Sequence, residues 1–182
     1  MDKELSPESY REILKILRKR CREKGYVIHT RSYRSEDPED FGYGYIDLQT
    51  KKLQIFYNLD GKIAGRLLVL FHEYRHFMHI TEGLYSNYYT SINEFNKKLP
   101  KYPRKYKLPN LAIATRAERN CDLFAEKALQ AMGYQVELQT PYQKVQTAAY
   151  KIHVRYIRKI GYEAYCQMSG SCPSTFKHIG EE

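Results

Sequence analysis

Two histidines four residues apart, with a glutamate directly after the first, constrain this chain more than any other feature: His72-Glu73-Tyr74-Arg75-His76. The surrounding segment, about residues 62–81, carries apolar residues at 63, 64, 67, 68, 70, 71, 77 and 78, the spacing of a helix. On a helix, positions i and i+4 lie about 40° apart around the axis and about 6 Å apart along it, so both imidazoles reach one ion. Glu73 falls on the adjoining flank, where its carboxylate meets a water beside the ion without being a ligand.

Catalytic zinc takes three protein ligands and keeps a fourth position for water, so a third ligand must come from elsewhere. His79 lies about 10 Å along the helix from His72, too far to share the ion. Glu82 and Glu94 stay open as ligands. The better candidate is Glu118, in Glu118-Arg119-Asn120-Cys121-Asp122, on a second helix expected over 111–132 and stopped by Gly133. Its apolar stripe is Ala114, Ala117, Cys121, Phe124, Ala128 and Met132. Glu118 and Asp122 flank that stripe four residues apart, so both can face the first helix. Glu118 would then ligate the ion, and Asp122 would accept a hydrogen bond from the second nitrogen of a ligand histidine, fixing its tautomer.

The remaining elements frame these two helices. Residues 6–24 read as a helix: Ser6 caps it, Pro7 and Glu8 start it, Ile13, Leu14, Ile16 and Leu17 mark its apolar side, and Gly25 ends it. Tyr26 to Thr30 reads as a strand, and Ser35 to Asp40 as an acidic loop. Gly44 to Leu48 and Leu53 to Tyr57 read as a hairpin turning at Gln49 to Lys52, followed by a turn at Asn58 to Gly61 that can cap the next helix. Residues 83–109 form a long irregular stretch, the kind of connection that serves as a lid or binding loop. After Pro141 a basic helix is expected to about Tyr165, with Lys144, Lys151, Arg155, Arg158 and Lys159 on its outside and a mobile tail over 167–182. The expected fold is therefore α+β. A single domain over 1–182 has a core at about 26–133, with the N-terminal helix packed beside it, a short three-stranded sheet, two site-bearing helices and an extra C-terminal helix.

At this point the chain resembles a known family. The strand Leu53 to Tyr57, the helix with His72-Glu73-x-x-His76, and Glu118-x-x-Cys121-Asp122-x-Phe124-Ala125 are similar to the ImmA/IrrE group of gluzincin-type metallopeptidases. The resemblance spans about residues 43–130. It implies a small zincin-like domain with His72, His76 and Glu118 as zinc ligands, Glu73 as general base and Asp122 behind the ligands. Members are typically encoded on bacterial and phage mobile elements, and several control repressors or stress regulators by proteolysis. This chain departs from the pattern at Arg75, where glycine is usual, at Cys121, where alanine is usual, and over Glu126 to Met132, where a leucine-rich stretch ending in proline is frequent.

The expected activity is hydrolysis of peptide bonds in a specific protein substrate. Zinc acidifies water and polarises the carbonyl, and Glu73 takes the proton and later delivers it to the leaving amine. A second oxyanion donor is sought among the loop tyrosines Tyr85, Tyr88 and Tyr89. A strand such as Gly44 to Leu48 at the sheet edge suits an extended peptide.

Two other functions compete. A DNA-associated protease similar to SprT-like enzymes would use the basic loop 97–107 (Lys97, Lys98, Lys101, Arg104, Lys105, Lys107) and the C-terminal helix to hold nucleic acid, with His153 as a third histidine ligand. A non-catalytic binding protein would keep the zinc fold without turnover, although the intact Glu73 argues against it. The formal net charge of +9 is compatible with an anionic partner, but Lys-rich solvated faces are the preferred reading. No run approaches the roughly 18 apolar residues of a membrane helix. The charged N-terminus is unlike a secretory signal, and the four cysteines lack zinc-site spacing. Unpaired thiols in a reducing, cytoplasmic setting are therefore expected, with Cys166 and Cys172 near enough to pair on oxidation.

Overall fold

Ser6 begins the first helix as the spacing predicts: its hydroxyl accepts a hydrogen bond from the Ser9 amide at 3.2 Å, and Pro7 follows where no amide proton is needed. The helix, α1, runs Pro7–Glu23 and buries Tyr10, Leu14, Leu17 and Cys21. Ile16, expected on this face, is instead 51% exposed. The buried set steps by four, three and four residues, and Ile16 falls about 100° away from Leu17 around the axis.

A computed structural model describes residues 6–36, 42–86, 89, 111–134, 157–158 and 161–169. Within them the chain is α+β, with four helices and a small three-stranded mixed sheet. The strands are β1 (Val27–Tyr33), β2 (Gly42–Asp47) and β3 (Lys52–Asn58), in the order β1-β3-β2. β1 runs parallel to β3 and is longer than the expected Tyr26 to Thr30; β2 runs antiparallel to β3, as a hairpin requires. The hairpin turn is held by Asp47, whose carboxylate accepts from the Gln49 and Thr50 amides at 2.9 and 3.2 Å and from the Thr50 hydroxyl at 2.8 Å.

The middle of the sheet alternates as strands with one covered face do. Ile28, Leu53 and Ile55 are buried, whereas Tyr43 and Tyr45 are exposed on the opposite side, where Tyr43 stacks on Phe56 with ring centres 4.7 Å apart. Part of the chain's abundant tyrosine thus clothes an outer sheet face. Another part (Tyr10, Tyr26, Tyr74) is core.

The inner face packs on α2 (Ile63–Thr81), which buries Leu67, Leu68, Val69, Leu70, Phe71, Tyr74 and Phe77. Apolar groups surround its middle, the mark of a central rather than a surface helix. The preceding turn does not cap it through a side chain: Lys62 is the cap residue, while Asn58 Oδ1 instead accepts from the Ser35 and Asp60 amides at 3.2 and 3.1 Å. At the other end Gly83 takes a left-handed conformation (φ +72°) that a side chain would strain, and the chain turns away from the helix.

The third helix, α3, spans Leu111–Ala131. Ala117, Cys121, Ala125 and Leu129 are its fully buried residues, with Phe124, Ala128 and Met132 partly buried beside them. Ala125 and Leu129 were not on the expected stripe, whose centre lies about 40° around the axis from that of the buried set. The last helix, α4, is Tyr162–Ser169 and buries Tyr165. Most of the expected basic helix at 141–165 lies outside the described residues; near its end, Gly161 at φ +85° precedes α4. Most of the long stretch 83–109, including Tyr88 and the basic loop, is likewise outside them.

Contacts divide the chain into two compact units: Met1–Leu84 with Asn120–Leu138, and Tyr85–Arg119 with Gln139–Glu182. Cys166 is disulfide-bonded, a correction to the expectation of unpaired thiols, since such bonds are rare in reducing compartments. Cys21 and Cys121 retain their thiols and are buried. Among the described residues no helix is long and apolar enough to cross a membrane.

Candidate metal centre

The site is built from one face of α2 and the segment Asn120 to Asp122 of α3, all within the first compact unit. The two helices meet in opposite order along the chain. His72 pairs with Asp122, His76 with Cys121, and Arg75 and His79 with Asn120. Phe71 packs edge-on to Phe124 at 6.5 Å and closes the apolar side of this seam.

His72 and His76 stand one helical turn apart, and their Nε2 atoms are 3.0 Å from each other. Two nitrogens each about 2.0–2.1 Å from one zinc ion at a tetrahedral angle would be about 3.3 Å apart, so the spacing suits a shared ion to within a few tenths of an ångström. Behind His72, Nδ1 is 2.7 Å from Asp122 Oδ1, with both side chains largely withdrawn from solvent. A carboxylate oxygen accepts, so Nδ1 is the donor, and the Nε2 lone pair is directed to the His76 side. This is the arrangement in which a carboxylate orients a ligand imidazole.

The donor atoms of His72, His76 and Cys121 lie within 4.8 Å of one another, a group that could hold a metal ion. Ring geometry separates its members. Cys121 Sγ is 3.3 Å from His76 Nδ1, whereas His72 faces His76 Nε2. The two lone-pair directions of an imidazole point away from opposite edges of the ring, so an ion held by both Nε2 atoms lies on the far side of His76 from the sulfur. Two oriented imidazole nitrogens suit zinc-type chemistry, and a further ligand must complete the set.

Glu73 is only 7% exposed and faces the sheet. Gly44 of β2 is what admits it: a β-carbon there would sit 2.4 Å from Glu73 Cγ, 2.8 Å from its Cδ and 2.8 Å from the Gln54 carbonyl oxygen. The general-base candidate therefore lies directly against β2, which is an edge strand among the described residues. Sequence reading missed Gly44; its signal was a small residue at an inward position of a strand otherwise rich in tyrosine.

Glu118 is half-buried on α3, one helical turn before Asp122 and on the same side of that helix. It belongs to the part of the chain clustered with the second unit. Of the other ligand candidates, Glu82 lies 3.8 Å from Arg75 Nη1, while Glu94 and His153 are outside the described residues. Tyr85 adopts a left-handed backbone with φ 54°, an uncommon conformation for a bulky residue.

Arg75 and Cys121 prove to be structural partners of the site. The Arg75 guanidinium donates from Nε to Asn120 Oδ1 at 2.9 Å and covers the Phe124 ring at 5.6 Å. Cys121, read from sequence as one more apolar residue of the stripe, touches both His76 and His79. Asn120 was not singled out at all. The available signal was that three consecutive residues, Asn120-Cys121-Asp122, all carry groups able to bond an imidazole.

No family model matches this chain, and no curated protein or solved structure does either.

Proposed function

We propose that the chain is a zinc-dependent peptidase with a zincin-like core, in which His72 and His76 hold the ion together with Glu118, and Glu73 is the general base. The observation that carries the reading is the facing Nε2 pair at 3.0 Å, backed by the His72–Asp122 bond at 2.7 Å. The resemblance to gluzincin-type enzymes supplies the substrate class and the role of Glu118. When bound there, zinc would supply Lewis acidity toward a carbonyl and toward water.

The protein's own groups perform the remaining work. Asp122 holds the His72 ring, and Glu73 accepts a proton from the attacking water and passes it to the leaving amine. Its carboxylate is kept in place by burial against the Gly44 backbone. Among the described residues β2 is an edge strand, and a substrate in extended form would pair along it, where main-chain bonds hold a peptide beside Glu73. The expected substrate is a peptide segment of a protein.

Glu73→Gln tests this reading. The variant should bind zinc as the parent does while peptide hydrolysis falls by about a hundredfold or more, the scale of a lost acid–base group. Metal content and chelator-sensitive cleavage of a casein or peptide library are measured side by side. Unchanged turnover in Glu73→Gln sinks the mechanism. Zinc bound by the parent with no cleavage of any peptide would turn the assignment toward a binding protein.

A further inference from the structure

The face of the sheet turned away from α2 carries aromatic rings where polar residues would ordinarily meet solvent. Tyr43 and Phe56 stand opposite each other on β2 and β3, with ring centres 4.7 Å apart and planes at 11°. A cross-strand pair of this kind stabilises a hairpin and needs no other explanation. Tyr45 is different. Its strand partner is Gln54, yet its ring lies 6.1 Å from that of Phe56 at only 19°. Three nearly parallel rings therefore form one row with Phe56 in the middle, and Tyr43 and Tyr45 are 56% and 51% exposed. Tyr33 tilts against Tyr43 at one end of the row, whereas no ring follows Tyr45 at the other among the described residues.

Charge lies in register with these rings. Arg31 of β1 pairs with Phe56 and His29 with Gln54, both exposed, and Lys52 is the next outward residue of β3. Arg31 and Lys52 make no ion pair among the described residues. Asp47 is the one acid at an outward position of the three strands, and its oxygens are engaged by Gln49 and Thr50. Glu36 and Asp60 lie past the opposite end of the sheet, beyond Tyr33 and Asn58. An apolar protein partner would cover the rings but leave the cations without counter-charge. Flat bases joined by phosphates satisfy both at once. Bases in a duplex are already stacked on one another, so open rings select a single strand. Gln54 and His29 each donate and accept, which suits the hydroxyl that RNA carries and DNA lacks.

We propose that the outer face of the sheet binds single-stranded RNA, with Tyr43, Phe56 and Tyr45 as a stacking row and Arg31 and Lys52 as phosphate contacts. The surface is separate from the metal centre, because Glu73 reaches the sheet from the other face, at Gly44. Binding there requires no metal ion.

Fluorescence anisotropy of the full chain with a labelled oligouridine, at several salt concentrations, tests the proposal. Tyr45→Ala should weaken binding by about 5–100-fold, the loss of one stacked base. Tyr45→Phe, which keeps the ring, should bind as the parent does. Arg31→Gln should also weaken binding and lower the salt slope by about one. Circular dichroism checks that Tyr45→Ala keeps the hairpin; Arg31→Gln, at an exposed position without a ring, carries the test if it does not. Zinc or a chelator should leave the affinity unchanged, and a chelator that abolishes binding places the RNA at the metal centre and overturns the proposal. Equal affinity of the parent and a folded Tyr45→Ala also overturns it, since the RNA is then held by charge elsewhere on the chain. The same holds if the deoxy strand, or a duplex with the complement, binds as tightly. If no RNA binds at low salt, and the parent sediments as a dimer that Tyr45→Ala separates, the face belongs to a second copy of the chain and the proposal falls.

Discussion

Single atoms decide this site, and the glycine beneath Glu73 is the sharpest case. A methyl group at position 44 would overlap Glu73 Cγ at 2.4 Å and approach the Gln54 carbonyl oxygen at 2.8 Å. The glutamate could swing aside, but the carbonyl belongs to the β3 backbone and is fixed by the sheet. Gly44→Ala should therefore both displace Glu73 and strain the hairpin, costing about 1–3 kcal/mol of stability as overpacking does. Urea unfolding and peptide hydrolysis, measured on the same preparation, check the two parts. Parental stability would show that the strand does not press on the helix; lost stability with full hydrolysis would show that Glu73 needs no such packing. The same scale explains Arg75 and Cys121. Both reach a single Asn120-centred network, Arg75 directly and Cys121 through His79.

At the scale of elements, what was legible followed from periodicity and punctuation. Ser6-Pro7 and Gly25 bracket α1, and the long apolar run of α2 could only be a central helix. The hairpin was readable because Asp47, Gln49 and Thr50 make their own turn. Pairing beyond the hairpin was not: the parallel union of β1 with β3 depends on a connection that no local pattern records. Nor could a stripe of small residues on α3 say that its cysteine meets two histidines 42 and 45 positions away.

Burial on α1 has a titratable consequence. The Cys21 thiol is pushed up from 9.0 to about 12 by burial, and the Tyr10 hydroxyl from 10.0 to about 12 by burial and the neighbouring Tyr57. Between the ordinary value and the raised one, the unfolded chain has lost the proton while the folded chain keeps it. Stability contributed by Cys21 is therefore complete below pH 9 and declines as the pH rises toward 12. Cys21→Ala should flatten the alkaline limb of a stability-against-pH curve built from urea midpoints. An equally steep limb in the variant would place the alkaline sensitivity elsewhere, with Tyr10 the next candidate.

Across the whole molecule, the proposed ion would join segments that the chain keeps far apart, since α2 meets Asn120 to Asp122 across a separation of 41 to 50 residues. An unfolded chain does not hold His72 and His76 in register with a distant third ligand. Metal binding therefore adds to folding stability by mass action, about 2.7 kcal/mol when free zinc is a hundred times its dissociation constant. For a chain of this length that corresponds to a rise in the unfolding midpoint of about 5–10 °C. The contacts of His72 with Asp122 and of His76 with Cys121 do not need the ion, so a chelator should lower the midpoint without unfolding the protein at room temperature. His76→Ala supplies the control, because a variant that has lost one of the paired nitrogens should show almost no difference between zinc and chelator. If the parent chain melts at the same temperature in both, the facing histidines do not bind zinc tightly enough to serve as its site. A midpoint that shifts equally in parent and His76→Ala would instead place the bound zinc on other residues of the chain.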